Sequence, residues 1–241
     1  MKRLLSILSI MATLLSSCDS GDIYPKERWD KPAHYTVRFK ATLSGIDSWP
    51  SDYMLSVAAF DGENDYSIIQ KQVAANSVDE SGRADILMTN ISTQATCIEL
   101  CVTNTLRQRI ATSVSRPIPD GWNERDTLVL DAGVQHVGMF AVIQQKVFDG
   151  TEYNCSSCHG AVNPRASLSL AKGESHGQLV GKASSRVEGG IRVIPGNAGA
   201  SILHQTLSQG NPAGLRYDHS ALVDAGVLKL MDDWIDFGAG E

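Results

Sequence analysis

The hydrophobic periodicity of this chain changes once, near Gly133, and that change limits its fold more than any other feature. From Tyr35 to about Asp131 the apolar residues fall in short runs rich in β-branched and aromatic side chains. The runs are Tyr35 to Leu43, Tyr53 to Phe60, Tyr66 to Val73, Ala84 to Met88, Cys97 to Val102, Arg109 to Val114 and Asp126 to Leu130. Gly, Asp, Asn and Ser separate them, with turn signals at Asp61-Gly62 and Ser81-Gly82. Short strands at this spacing predict an all-β, immunoglobulin-like sandwich over residues 35–133, an expectation that rests on strand number alone. Beyond Gly133 apolar residues recur every three or four positions instead: Met139, Phe140, Val142, Ile143 and Val147, and later Val227, Leu230, Met231, Trp234 and Ile235. Two amphipathic helices therefore bracket an all-α segment over 137–241, and the chain reads as multidomain.

Charge removes one class of partner. Lys and Arg number 21 against 27 Asp and Glu, a net charge of -6 with no basic stripe, so the counterion release that drives nucleic-acid binding is missing. No nucleic-acid partner is expected. The one long apolar run lies at the start, where Lys2-Arg3 precedes Leu4 to Leu15 and the small residues Ser16 and Ser17 precede Cys18. This is a secretory signal over 1–17, too short to span a bilayer as a stable helix, which takes roughly 20 residues. Leu15-Ser16-Ser17-Cys18 resembles the lipobox of bacterial lipoproteins, which implies a lipidated Cys18 at the mature N-terminus. Attachment to the membrane then comes from the lipid, since an acidic body is not drawn to an anionic surface. Residues 18–34, with Gly21, Pro25 and Pro32, form a tether that could reach roughly 50 Å when extended. The expected place is the bacterial cell envelope, lipid-anchored, facing the periplasm or the outer surface.

Within the β segment, Cys97 and Cys101 are the one chemical oddity. On a single strand their Cα atoms would lie roughly 13 Å apart, beyond the limit of about 7 Å for a disulfide. Both are expected to be packing residues. No grouped nucleophile and base stands in this segment, which leaves it as a spacer or a binding module.

Chemistry is concentrated in Cys155-Ser156-Ser157-Cys158-His159. C-x-x-C-H is the attachment signature of c-type haem: on a tight helical turn two thiols three positions apart can each form a thioether with a haem vinyl group, and the next imidazole reaches the iron. The residues alone leave a disulfide, a thiol redox pair or half a zinc site open. A zinc site would have to recruit His176, His204 or His219.

The stretch from about Val137 to Ala239 resembles a single-haem class I cytochrome c domain of the planctomycete-type subgroup. The resemblance rests on Cys155 to Gly160, Leu168-Ser169-Leu170, Pro195-Gly196-Asn197 leading to Ser201-Ile202-Leu203, and Trp234-Ile235-Asp236-Phe237-Gly238-Ala239. It implies one covalent haem c on Cys155 and Cys158, His159 as proximal iron ligand, and first and last helices that cross. That family supplies a methionine before the last helix, whereas here the loop Gly214 to Asp224 has none. His219 falls at the matching place and is the proposed distal ligand, since neutral imidazole binds iron well. Met231 is expected in the core, His204 in a helix Ala200 to Leu207, His176 in a Gly-flanked loop, and Tyr217 ranks as a further candidate. Arg192 and Arg216 are either haem-propionate partners or solvated surface residues. Asp232, Asp233, Asp236 and Glu241 read as the solvated face of the last helix.

The expected function is single-electron transfer outside the cytoplasm by a membrane-tethered cytochrome, with a redox partner protein that the sequence does not specify. Two rivals remain at this level: a haem enzyme or gas sensor with an open sixth site, and a binding lipoprotein with an accessory haem segment.

Overall fold

The computed structural model describes residues 34–123, 125–209, 215 and 217–241. The leader, Cys18 and Arg216 lie outside the described residues, as does the tether apart from His34, which already opens the first strand. Described residues belong to one compact unit that combines two β-sheets with a few helices. Each predicted strand run contains or overlaps an observed strand: β1 His34–Ser44, β2 Tyr53–Phe60, β3 Ile69–Gln72, β4 Arg83–Ser92, β5 Cys97–Asn104, β6 Arg109–Pro117 and β7 Thr127–His136.

The strands form a three-stranded sheet in the order β4-β1-β7 and a four-stranded sheet in the order β3-β2-β5-β6. β1 pairs antiparallel with β4 but parallel with β7, whose register slips between the Lys40 and Thr42 pairings. Alternation explains β1: Val37, Phe39, Ala41 and Leu43 point inward. Arg38, on the opposite face, makes two 2.7 Å hydrogen bonds to Asp85 across the pair. β2 and β5 are buried on both faces. Their inner residues Leu55, Val57, Ile98, Leu100 and Val102 join those of β1 in one apolar cluster. Cys101 instead packs with Ala58 and Phe60, partly buried Cys97 beside them, and both thiols are free, as their place on one strand requires.

The same apolar cluster continues across residues 133–137 into the helices. Helix α1, Met139–Ile143, runs directly into a π-helical turn, Gln144–Phe148. Helices α2 (Ser175–Leu179), α3 (Ile202–Ser208) and α4 (Ala225–Asp236) follow, joined by loops and 3₁₀ turns. Among the described residues 137–241 the only β pairing is two isolated bridges, Val180 with Val193 and Ala183 with Ile191. On α4 the buried residues are Val227, Leu230, Met231, Trp234 and Ile235, the face that the periodicity predicts. α1 meets α4 through Phe140 and Trp234, whose ring centres stand 4.9 Å apart.

Polar contacts fasten the β segment to the helical segment. Trp49 Nε1 donates to the Val137 carbonyl at 2.7 Å, Ser48 Oγ accepts from the Met139 amide at 2.8 Å, and Tyr53 donates to Asp233 at 2.6 Å. At this junction Gly45, with φ +82°, lies so close to Gly138 that a Cβ would come within 2.7 Å of its backbone, so the site tolerates no side chain.

The acidic residues of α4 correct the sequence expectation. Asp232 pairs with His204 at 2.8 Å, Asp233 accepts from Tyr53 and from Lys229, and Asp236 accepts from the Ala198 amide at 2.7 Å. They fix neighbouring elements to the helix and do not form a merely solvated face. Their place near a helix C-terminus, unfavourable for negative charge, is offset by these tertiary partners. His176 likewise sits in α2, not in a loop, and its Nε2 is hydrogen-bonded to the Ala239 carbonyl at 2.8 Å. Among the described residues no helix is long and apolar enough to cross a membrane.

Candidate functional site

Cys155 to Ser157 form a 3₁₀ turn that enters from Asn154 in the left-handed region, and the amides of Cys158 and His159 both donate to the Cys155 carbonyl, at 3.2 and 3.0 Å. This tight turn puts Cys155 into the protein and leaves Cys158 exposed; both are free thiols. Burial pushes the Cys155 thiol up to about 11. After His159 only glycine fits well, because a Cβ on Gly160 would come within 2.9 Å of the Ser156 carbonyl.

His159 is held from behind. Its Nδ1 lies 3.1 Å from the Arg165 carbonyl and 3.2 Å from the Leu168 carbonyl. Carbonyls only accept, so Nδ1 carries the hydrogen and Nε2 keeps its lone pair. Burial depresses the basicity of this ring, with His219 and Arg165 lowering it further against the opposing carbonyls. The intervening residues Ala166 and Ser167 have φ of 54° and 50°, a conformation that costs a residue with a Cβ about 1–2 kcal/mol.

His219 stands across from His159, with ring centres 6.3 Å apart and planes at 42°. It is held in the same manner: its Nδ1 is bonded to the Tyr217 carbonyl at 2.9 Å, leaving Nε2 free. Tyr217 itself is exposed and packs edge-on against the His219 ring at 4.9 Å.

Both histidines line one partly open, apolar cavity of about 130 Å³. Its walls are apolar, drawn from Val147 and Phe148 of the π turn, Leu168 and Leu170, Leu179 of α2, Leu203 and Leu207 of α3, and Met231 of α4. Cys155 opens into it, and Ser184, Ser185, Arg186 and Arg192 line it as well.

The sequence candidates thus separate cleanly. Cys155, His159 and His219 converge on one cavity, which exposed Cys158 does not line; Met231 is both core and cavity wall; His176 and His204 have partners elsewhere and do not line it. Arg192 is buried, contrary to a solvated surface role. Among the described residues no three His, Cys, Asp or Glu side chains cluster as a metal group, so His176 and His204 do not complete a zinc site on the two cysteines. Ser184, Ser185 and Arg186 are not legible in the sequence, because a Ser-Ser-Arg loop carries no periodic signal. Tyr153 carries no such signal either: its hydroxyl donates to Asp224, the cap of α4, at 2.6 Å. Compared with family models, curated proteins and solved structures, the chain matches none of them.

Proposed function

We propose that this chain is a c-type cytochrome that carries one covalent haem and transfers single electrons. Cys155 and Cys158 would form the thioethers, and His159 and His219 would hold the iron. One observation carries the reading: the two imidazole ring centres lie 6.3 Å apart on one cavity, each with Nδ1 spent on a backbone carbonyl. The second-nitrogen hydrogen bonds fit, since histidine ligands to metals usually donate their other N–H to a carbonyl or carboxylate.

The walls are apolar, as a porphyrin face requires, and Arg186 and the serines offer polar groups at the same cavity. Bound there, haem would supply a one-electron couple at iron, and the protein would tune it through burial, axial ligands and their hydrogen bonds. Two histidine ligands favour a lower potential than a histidine–methionine pair. His219 opposite His159 speaks against the rival of an open iron site. In this reading residues 35–133 form an immunoglobulin-like sandwich and 137–241 an all-α cytochrome c domain, supported by the seven-strand pattern and by the contact of α1 with α4. Tethering through lipidated Cys18 rests on the leader sequence, and the redox partner on the exported, electron-carrying role.

The test is to express the full chain with the bacterial c-type maturation machinery and assay pyridine haemochrome after denaturation. One haem that stays with the chain, and is lost when Cys155 and Cys158 are both changed to alanine, is the expected result. A fully matured preparation without covalent haem overturns the reading.

A further inference from the structure

We propose that Arg192 is a positioning residue for His159, acting through the backbone turn that holds the imidazole. Its geometry stands alone, but its consequence for electron transfer rests on the haem reading above.

The turn 165–168 presents successive carbonyls to two different donors. The outer pair, Arg165 O and Leu168 O, accept from His159 Nδ1, while the inner pair, Ala166 O and Ser167 O, face Arg192 Nη2 at 3.5 and 3.0 Å. The other terminal nitrogen, Nη1, donates to the Gln178 carbonyl at 2.8 Å and to Gln178 Oε1 at 3.3 Å. One planar guanidinium therefore ties α2 to the turn. The clamp itself is anchored, since the Arg192 amide donates to the Lys182 carbonyl at 2.7 Å and its carbonyl accepts from the Leu203 amide at 3.0 Å. Ser185 Oγ adds a second donor to the Ala166 carbonyl.

Two facts make this more than packing. Ala166 and Ser167 both lie in the left-handed region, where neither residue rests by preference, so something outside the turn must hold it. Arg192 is only 9% exposed, and among the described residues no carboxylate pairs with it. A buried cation satisfied only by carbonyl and amide oxygens is costly to keep, and here those acceptors belong to the turn that orients His159 and to the helix beside it. Its fork is also largely spent on these partners, which turns the sequence expectation of a propionate contact into a structural role.

The mechanism is a fixed tautomer. With both outer carbonyls in place Nδ1 must donate, and the hydrogen bonds it makes raise the basicity of Nε2 toward the cavity. Loosening the turn weakens that donation. A ligand of lower basicity stabilises ferric iron less, so the midpoint potential rises. Loss of a nearby positive charge acts in the opposite sense, because it favours the more positive ferric state.

Those opposite signs make Arg192→Lys the decisive variant: it keeps the charge and loses the fork. In full-length matured protein the expected results are a raised midpoint potential and broadened low-spin resonances for Arg192→Lys. A smaller shift of the same sign is expected for Ser185→Ala, which removes one donor from the turn and is mild enough to fold. Arg192→Gln, which loses charge and fork together, should fall below Arg192→Lys. A potential unchanged in Arg192→Lys but lowered in Arg192→Gln reduces the residue to a charge and overturns the proposal, as does no change in any variant. If the wild-type chain holds no covalent haem, the cytochrome reading falls, and imidazole NMR of the haem-free chain decides the clamp. His159 should then be a single Nδ1–H tautomer in wild type and a mixture in Arg192→Lys and Ser185→Ala, and unaltered tautomers would overturn it.

Discussion

His159 and His219 come from segments sixty residues apart and meet ring to ring at 6.3 Å, each anchored through Nδ1 to a carbonyl close by in its own segment. The anchors are unequal. His159 is held by two carbonyls of a turn tied back to its own motif, because the Arg165 amide donates to the Cys158 carbonyl and the Leu170 amide to the His159 carbonyl. His219 is held by one carbonyl two residues away. Of the two ligands proposed, His219 is therefore the one to remove first.

Matured wild-type protein should give a six-coordinate low-spin spectrum in both oxidation states, unresponsive to carbon monoxide. His219→Ala should become five-coordinate and bind carbon monoxide when reduced, with added imidazole restoring the low-spin form. A wild-type protein that already binds carbon monoxide would remove His219 from the iron.

Three of the four described thiols should separate by accessibility. In the haem-free chain Cys158, which is exposed, should be alkylated first at pH 8. Cys155, partly buried with its thiol pushed up to about 11, should react at least tenfold more slowly, since the thiolate is the nucleophile. Cys101 is fully buried and held further from ionisation by that burial, so it should label only on unfolding. Mass spectrometry of a timed alkylation reads all of this, and in the matured protein neither Cys155 nor Cys158 should label at all.

Asp224 couples the segment before Cys155 to the last helix. Its carboxylate accepts from the Val227 amide at 2.8 Å as the cap of α4 and from the Tyr153 hydroxyl at 2.6 Å, which together hold its carboxyl below the usual range, the Tyr153 bond most of all. A depressed carboxylate contributes stability above its unfolded value near 4, and that contribution is lost as pH falls below it. Asp224→Ala should cost about 1 kcal/mol at pH 7, the usual worth of such a cap, and Asp224→Asn less. The difference between Asp224→Ala and wild type should shrink below pH 4, as read by chemical denaturation.

Tyr53 should contribute to the alkaline limb of stability. Burial first, and then its hydrogen bond to Asp233, hold the phenol proton well above the ordinary range. The unfolded chain releases that proton near pH 10, so the stabilisation is complete below pH 10 and is lost as pH rises beyond it. Tyr53→Phe should cost about 1–2 kcal/mol at pH 7, because a hydrogen bond to a charged acceptor is lost at a partly buried site. It should also flatten the decline in stability above pH 10, measured by urea unfolding between pH 9 and 11.

Period and motif were legible in the linear chain because both are local. The seven strand runs, the buried face of α4 from Val227 to Ile235, and the tight turn at Cys155–Ser157 follow from side-chain order along a single element. So does the free state of Cys97 and Cys101, which one strand keeps apart. Residue order also nominated His219, through the loop position left without a methionine.

Partners between elements were decided only in three dimensions. Asp232, Asp233 and Asp236 look like a solvated stripe until α3, β2 and the Ala198 loop supply the donors that use them. His176 looks like a loop residue until α2 forms and the Ala239 carbonyl takes its Nε2. Arg192 looks like a surface cation until the turn at Ala166 and Ser167 closes around it. Periodicity records which face of an element is dry, since burial of apolar area repeats with the backbone. Directional bonds between side chains distant in sequence leave no such period, so the structure alone could place the carbonyls behind His159 and set its ring against His219.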